Sequence, residues 1–211
     1  MSDPMSDPQT PATDEVSRFL VRQKITMMVN RYEVVRTSDS GAELGTLAVA
    51  QQKRLKLKEE VTFFTDAART TPVFSFKARK RIDLASAYDV LDASGAPVGM
   101  FRKDFAASLL NSTWHLETLD GQTFTGRERN QNIAVLRRVW EFLPVVGDIP
   151  LPFLFHFDFR AADGTVVMSS TKKMGLRDVY RVELAPTATG RRLDWRLAAA
   201  MAVALDALQS R

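Results

Sequence analysis

Signals for catalysis are thin: the chain has two histidines, His115 and His156, and no cysteine to act as nucleophile, disulfide partner or thiolate ligand. In Trp114-His115-Leu116 and in Phe155-His156-Phe157-Asp158-Phe159, apolar and polar residues alternate. That is strand spacing. It turns Trp114, Leu116, Phe155, Phe157 and Phe159 inward and His115, His156 and Asp158 outward. His156 and Asp158 then share a face on which both could ligate a metal, but no third donor accompanies them. Serines near acidic residues have no nearby histidine to complete a triad, and HExxH, Walker, GxGxxG and nucleophile-elbow patterns are absent. The residues support no catalytic constellation. The expectation is a non-enzymatic protein without metal or cofactor.

The cations carry more information. In Lys53-Arg54-Leu55-Lys56-Leu57-Lys58, strand alternation puts Leu55 and Leu57 on one side and Arg54, Lys56 and Lys58 on the other. In Phe74-Ser75-Phe76-Lys77-Ala78-Arg79-Lys80-Arg81 it turns Phe74, Phe76 and Ala78 inward and Lys77, Arg79 and Arg81 outward. The connection 65–71 is short enough to make these strands neighbours and to gather the cations on one surface, with Arg102 and Lys103 adding to it. Such a surface fits an inositol phosphate or an anionic membrane, at about 1 kcal/mol per basic residue near the lipid. The same positions would also be basic on a merely solvated face, paired with Glu59, Glu60 or Asp83. Both readings are open at this level.

The elements that position these residues come from a weak internal repeat. Tyr88 to Gly95, Trp114 to Gly121 and Phe157 to Gly164 each begin an alternating strand on an aromatic, which lies seven residues before a turn glycine. Asp-Gly or Ser-Gly between alternating runs is a hairpin signal, because the turn needs positive φ. Tyr32-Glu33-Val34-Val35 with Ser40-Gly41 is a looser fourth copy. Successive hairpins predict an antiparallel sheet, and closing it removes its edges. One insertion interrupts the pattern. Gln131 to Leu143 sets Ile133, Leu136, Val139, Trp140 and Leu143 at helical spacing, and Pro144 stops it. This amphipathic helix and the proline-broken apolar run 145–153 either pack over a barrel end or form a surface that docks on a protein partner or membrane.

The chain closes on a segment of the opposite kind. Leu197 to Leu205 is wholly apolar, so a helix there has no polar face and must be buried. A bilayer span needs about 20 apolar residues, more than this run supplies. Six alanines between Leu193 and Leu208 make the helix thin. A barrel of ten or more strands has a lumen too wide for its own side chains, and a thin apolar helix would fill it. The fold class expected is therefore mainly β: a closed antiparallel barrel of about twelve strands around a C-terminal helix, with one inserted amphipathic helix. Met201 and Leu205 should be among its most buried side chains.

This combination resembles the tubby C-terminal-like superfamily, which includes tubby proteins, phospholipid scramblases and the LURP-one-related proteins. The resemblance runs from about Phe19 to Leu208 and is closest over Phe74–Arg81, Tyr88–Val90 and Gly99-Met100-Phe101-Arg102-Lys103, where a basic run precedes a strand, a turn and Gly-x-x-Arg. It implies phosphoinositide binding through Arg79 and Arg81, with a one-residue ambiguity over Lys80, and through Arg102. It does not extend to calcium-dependent scrambling, since the scramblases' cysteine cluster and dense acidic loop are missing. Nucleic acid is not expected as a partner, because the aromatics that would stack on bases fall at inward positions.

Residues 1–15 form an acidic leader expected to be disordered, with the barrel domain following over 16–211. The leader's charge of −4 set against the chain's net +4 leaves +8 on the body. That balance points to a polyanionic partner. Neither an export signal nor a spanning segment is legible, so the expected location is cytoplasmic, with peripheral attachment to membrane. Two functions emerge: a module recognising anionic phospholipid headgroups through the basic strand face, or a protein-interaction scaffold using 131–153.

Overall fold

The computed structural model describes residues 15–25, 29–53, 60–79, 87–104, 112–129, 156–173 and 178–209. The strands are β1 (Arg18–Ile25), β2 (Val29–Thr37), β3 (Glu43–Lys53), β4 (Glu60–Phe64), β5 (Pro72–Ala78), β6 (Ala87–Asp92), β7 (Pro97–Asp104), β8 (Thr113–Thr118), β9 (Thr123–Glu128), β10 (His156–Arg160), β11 (Val166–Lys173) and β12 (Val179–Leu184). Among the described residues one α-helix, α1 (Trp195–Gln209), follows. Each strand pairs antiparallel with its sequence neighbours, and β1 pairs with β12 from Arg18↔Glu183 to Arg22↔Val179, which closes the barrel. The expected closed antiparallel barrel with a C-terminal helix holds. The inserted helix of 131–143, the run 145–153 and the leader up to residue 14 lie outside the described residues.

Alternation produces these strands and hairpin chemistry joins them. Tyr88, Trp114 and Phe157, the aromatics that open the repeats, are all buried. Gly95, Gly121 and Gly164 adopt φ of 86°, 81° and 87°, where an L side chain would be strained. Each turn is the same device. In the first, the Gly95 N–H donates to the Asp92 carbonyl at 3.0 Å and the Asp92 N–H to the Ala96 carbonyl at 2.8 Å. Gly41 belongs to a fourth such turn, as expected, and Gly190, between Thr187 and Arg191, to a fifth that the repeat did not reveal.

Helix α1 threads the barrel. Every side chain from Leu197 to Ala204 is fully buried, and the helix touches β1, β5, β6, β7 and β12. Burial on all sides, with contacts to β1 and β12 on one wall and to β5, β6 and β7 on another, fits a helix that occupies the lumen. Met201 is wholly buried and Leu205 nearly so. The N-terminus is capped by Asp194, whose Oδ1 accepts the Arg196 N–H at 2.8 Å. At the far end Asp206 is also buried, accepting from Tyr180 Oη at 2.5 Å and Tyr32 Oη at 3.2 Å. Burial pushes this carboxyl above the usual aspartate range, against the opposing pull of the two tyrosine hydroxyls.

The lumen is not uniform. Along β4–β8 it is filled by rings: Phe63 stacks on Phe74 at 4.2 Å, Trp195 meets Phe74 edge-on at 5.6 Å, and Tyr88 stacks on Phe101 at 5.0 Å. Two glycines make room. A Cβ on Gly99 would lie 2.7 Å from the Glu117 carbonyl oxygen and 2.9 Å from Leu197 of the helix. A Cβ on Gly126 would lie 2.3 Å from the Phe159 ring.

Candidate anion-binding face

The barrel's outer face is set by the same alternation. With Phe74, Phe76 and Ala78 directed inward, Lys77 points out of β5 and Arg79, one residue past its end, lies on the same side beside Asp89; with Gly99 and Phe101 inward, Arg102 points out of β7. Cross-strand register then does what sequence spacing cannot show. The Arg79 N–H donates to the Ala87 carbonyl at 2.9 Å, and Ala87 is the register partner of Arg102. Arg79, Ala87 and Arg102 thus form one outer row across β5, β6 and β7. The two guanidinium-bearing positions stand two strand spacings apart, roughly 10 Å, with only a methyl group between them. His115 of β8, the register partner of Arg102, continues the row.

Every described cation of this face has a carboxylate beside it. Arg79 Nε is 2.8 Å from both oxygens of Asp89, and these bonds raise the guanidinium above its already high value. Arg102 Nε is 3.3 Å from Glu117 Oε1, and Lys77 Nζ is 3.7 Å from Glu60 Oε2. His115 Nε2 lies 3.3 Å from Asp104 Oδ2, and its Nδ1 3.3 Å from Thr125 Oγ1. The face is therefore an alternating lattice of charge rather than a block of one sign. The side chains of Arg79 and Arg102 are 47% and 37% exposed, so these are solvent-accessible pairs worth about 0–1 kcal/mol each.

Lys103 does not join the row. Its register partner is Trp114, which faces into the barrel, and its ammonium sits 5.8 Å from the centroid of that ring. Neighbours along a strand cannot share a face, and Lys103 lies on the opposite side of the sheet from Arg102. Arg54, Lys56, Lys58, Lys80 and Arg81 lie outside the described residues, as does the docking surface expected at 131–153.

Of the outward pair His156 and Asp158, it is Asp158 that is committed to ion pairing. Asp158 is almost wholly buried and accepts from Arg129 Nη2 at 2.6 Å, Ser169 Oγ at 3.1 Å and Arg160 Nη2 at 3.3 Å. Burial pushes this carboxyl up, but the bonds and charge of Arg129, with Ser169 and Arg160, outweigh it and hold the group below the usual range. Burial and the nearby Arg129 push His156 down, against the opposing charge of Asp158. No group of three or more metal-ligating side chains occurs among the described residues.

These features can be set against known proteins. A family model described as LURP-one-related matches residues 46–206, from β3 to the buried Asp206 of the central helix. The chain belongs to the LURP-one-related family. That family lies within the tubby-like C-terminal superfamily. No curated protein matches the chain. In this LURP-one-related domain the two ends of Gly-x-x-Arg have separate tasks: Gly99 leaves space for Leu197 of the helix, and Arg102 stands on the outer row. Among the described residues no helix is long and apolar enough to cross a membrane.

Proposed function

We propose that this LURP-one-related domain is a non-enzymatic binding module that recognises anionic phospholipid headgroups at a membrane surface. The observation that carries this reading is the Arg79–Ala87–Arg102 row. A phosphorylated headgroup is wide enough to bridge two cations roughly 10 Å apart across a flat methyl-bearing strand. Guanidinium forks match phosphate oxygens in bidentate fashion. The carboxylates of Asp89 and Glu117 act as internal competitors. A multiply charged headgroup displaces them because each exposed pair contributes so little.

The test is co-sedimentation with vesicles of neutral phosphatidylcholine, with and without phosphatidylinositol bisphosphate. Binding is expected only to the charged vesicles, and Arg79→Gln/Arg102→Gln should abolish it without lowering the melting temperature. Asp89→Asn/Glu117→Gln should strengthen it, because the competitors are removed. Affinity should fall steeply with salt, as the Debye length shrinks from about 10 Å at 0.1 M to about 3 Å at 1 M. Equal binding to both vesicle types would end the proposal.

A further inference from the structure

A second cationic site stands on the other side of the barrel, where no run of basic residues announces it. Gln23 and Tyr32 are buried and face inward, so their neighbours Lys24 in β1 and Arg31 in β2 face outward, and both are exposed. Lys24 and Arg31 are register partners. Like charges directly opposite one another across an antiparallel pair are destabilising. The local carboxylates do not relieve them. Glu43 and Glu33 both pair with Arg22, and Glu33 also accepts from Thr46 Oγ1 at 3.0 Å. Among the described residues neither Lys24 nor Arg31 has a carboxylate partner.

A third cation reaches the same place by a strained backbone. Arg69, in the loop between β4 and β5, has φ of 59° and is the one described residue other than glycine at positive φ. The conformation is held by Asp66, whose Oδ1 accepts the N–H groups of Ala68 at 2.8 Å and Arg69 at 3.2 Å. A left-handed arginine costs energy that a glycine would not, and such strain concentrates at ligand sites. Lys24, Arg31 and Arg69 all line one cleft of about 770 Å³, together with the apolar Val49, Ala67 and Val179 and with Glu33, whose charge is already answered by Arg22. That volume is within the range of small-molecule sites, and an apolar wall with a few convergent charges is their usual composition.

The geometry points to a site for an organic phosphate monoester with an apolar body: the phosphate on Lys24, Arg31 and Arg69, the body against Val49, Ala67 and Val179. A phosphate dianion matches three cations better than a single carboxylate does, and it would remove the Lys24–Arg31 repulsion. The site is distinct from the Arg79–Arg102 row and does not depend on it.

The probe is hexyl phosphate, titrated calorimetrically into the full chain, with inorganic phosphate and hexanol as partial ligands. Saturable binding of hexyl phosphate is expected, tighter than that of either partial ligand. Lys24→Gln/Arg31→Gln should weaken it at least about tenfold, the order expected for losing charge-assisted bonds. The same variant should melt, unliganded, at or above the wild-type temperature, because a repulsion has been removed. Arg79→Gln/Arg102→Gln should bind hexyl phosphate as the wild type does, so failure of the vesicle proposal leaves this one standing. Displacement by phosphatidic acid vesicles would identify the source as a lipid headgroup, and its absence a soluble ester. Undiminished binding by the Lys24/Arg31 variant, no binding by the wild type at millimolar concentration, or a variant that melts several degrees lower would overturn the inference.

Discussion

At the scale of single residues, one buried aspartate and one glycine hold more of the structure than their sequence neighbourhoods disclose. Asp158 is the hub of a charge cluster on β10, and its carboxyl is held below its unfolded value. The unfolded chain therefore takes up a proton that the folded chain refuses, so the cluster's stabilisation is complete above the usual aspartate pKa. It is lost as pH falls through the depressed value. Asp158→Asn is expected to destabilise by about 1–2 kcal/mol at pH 7, discounted for the exposure of its arginine partners. Urea denaturation of both proteins from pH 7 to pH 2 should show the difference closing at the acid end. Gly126→Ala presses a methyl into the Phe159 ring and should cost about 1–3 kcal/mol by thermal unfolding. Neither role was legible beforehand. His156 and Asp158 were visible as a pair on one face, but Arg129 and Ser169 reach Asp158 from other strands or loops, and strand alternation carries no register.

At the scale of elements, the hairpins and the helix were the legible part. Tyr88, Trp114 and Phe157 turned inward as their alternation required, and the turn glycines took the positive φ that Asp-Gly and Ser-Gly implied. The wholly apolar run 197–205 could only be a buried helix, and it is. What composition concealed is how the helix ends. Asp206 reads as the point where an apolar run meets water, yet it is buried between the hydroxyls of Tyr32 and Tyr180. Asp206→Ala leaves the Tyr180 hydroxyl without that acceptor and should cost about 1–3 kcal/mol by chemical denaturation, with Asp206→Asn milder because its carbonyl still accepts. Met201→Asp puts an unpaired charge at the barrel axis, where burial costs several kcal/mol. Insoluble or unfolded protein is expected. A soluble variant with the wild-type circular dichroism spectrum would contradict a central helix.

At the scale of the whole molecule, a β-barrel closed around its own C-terminus frees its outer surface for binding, because almost every apolar side chain of the strands has work inside. The large apolar residues exposed among those described are Leu44 and Leu119. The charge excess of the body was legible in the sequence. The superfamily resemblance implied Arg79, Arg81 and Arg102 as headgroup ligands, and the sheet register sets two of them, Arg79 and Arg102, in one row. The inner position of Lys103 was legible too, since strand alternation separates it from Arg102. Two things were not. The carboxylates Asp89 and Glu117 reach the arginines through sheet pairing. Lys24, Arg31 and Arg69 converge from separate segments with no local cluster to mark them. The central claim is that Arg79 and Arg102 act as one site across Ala87, and the substitution that addresses it most directly is Ala87→Glu. It places a carboxylate between the two guanidiniums at a surface position, where stability should change by about 0.5 kcal/mol or less. Co-sedimentation with phosphatidylinositol bisphosphate vesicles should fall to the level of neutral vesicles for Ala87→Glu and remain substantial for Ala87→Gln. Wild-type binding by a folded Ala87→Glu protein would contradict the claim.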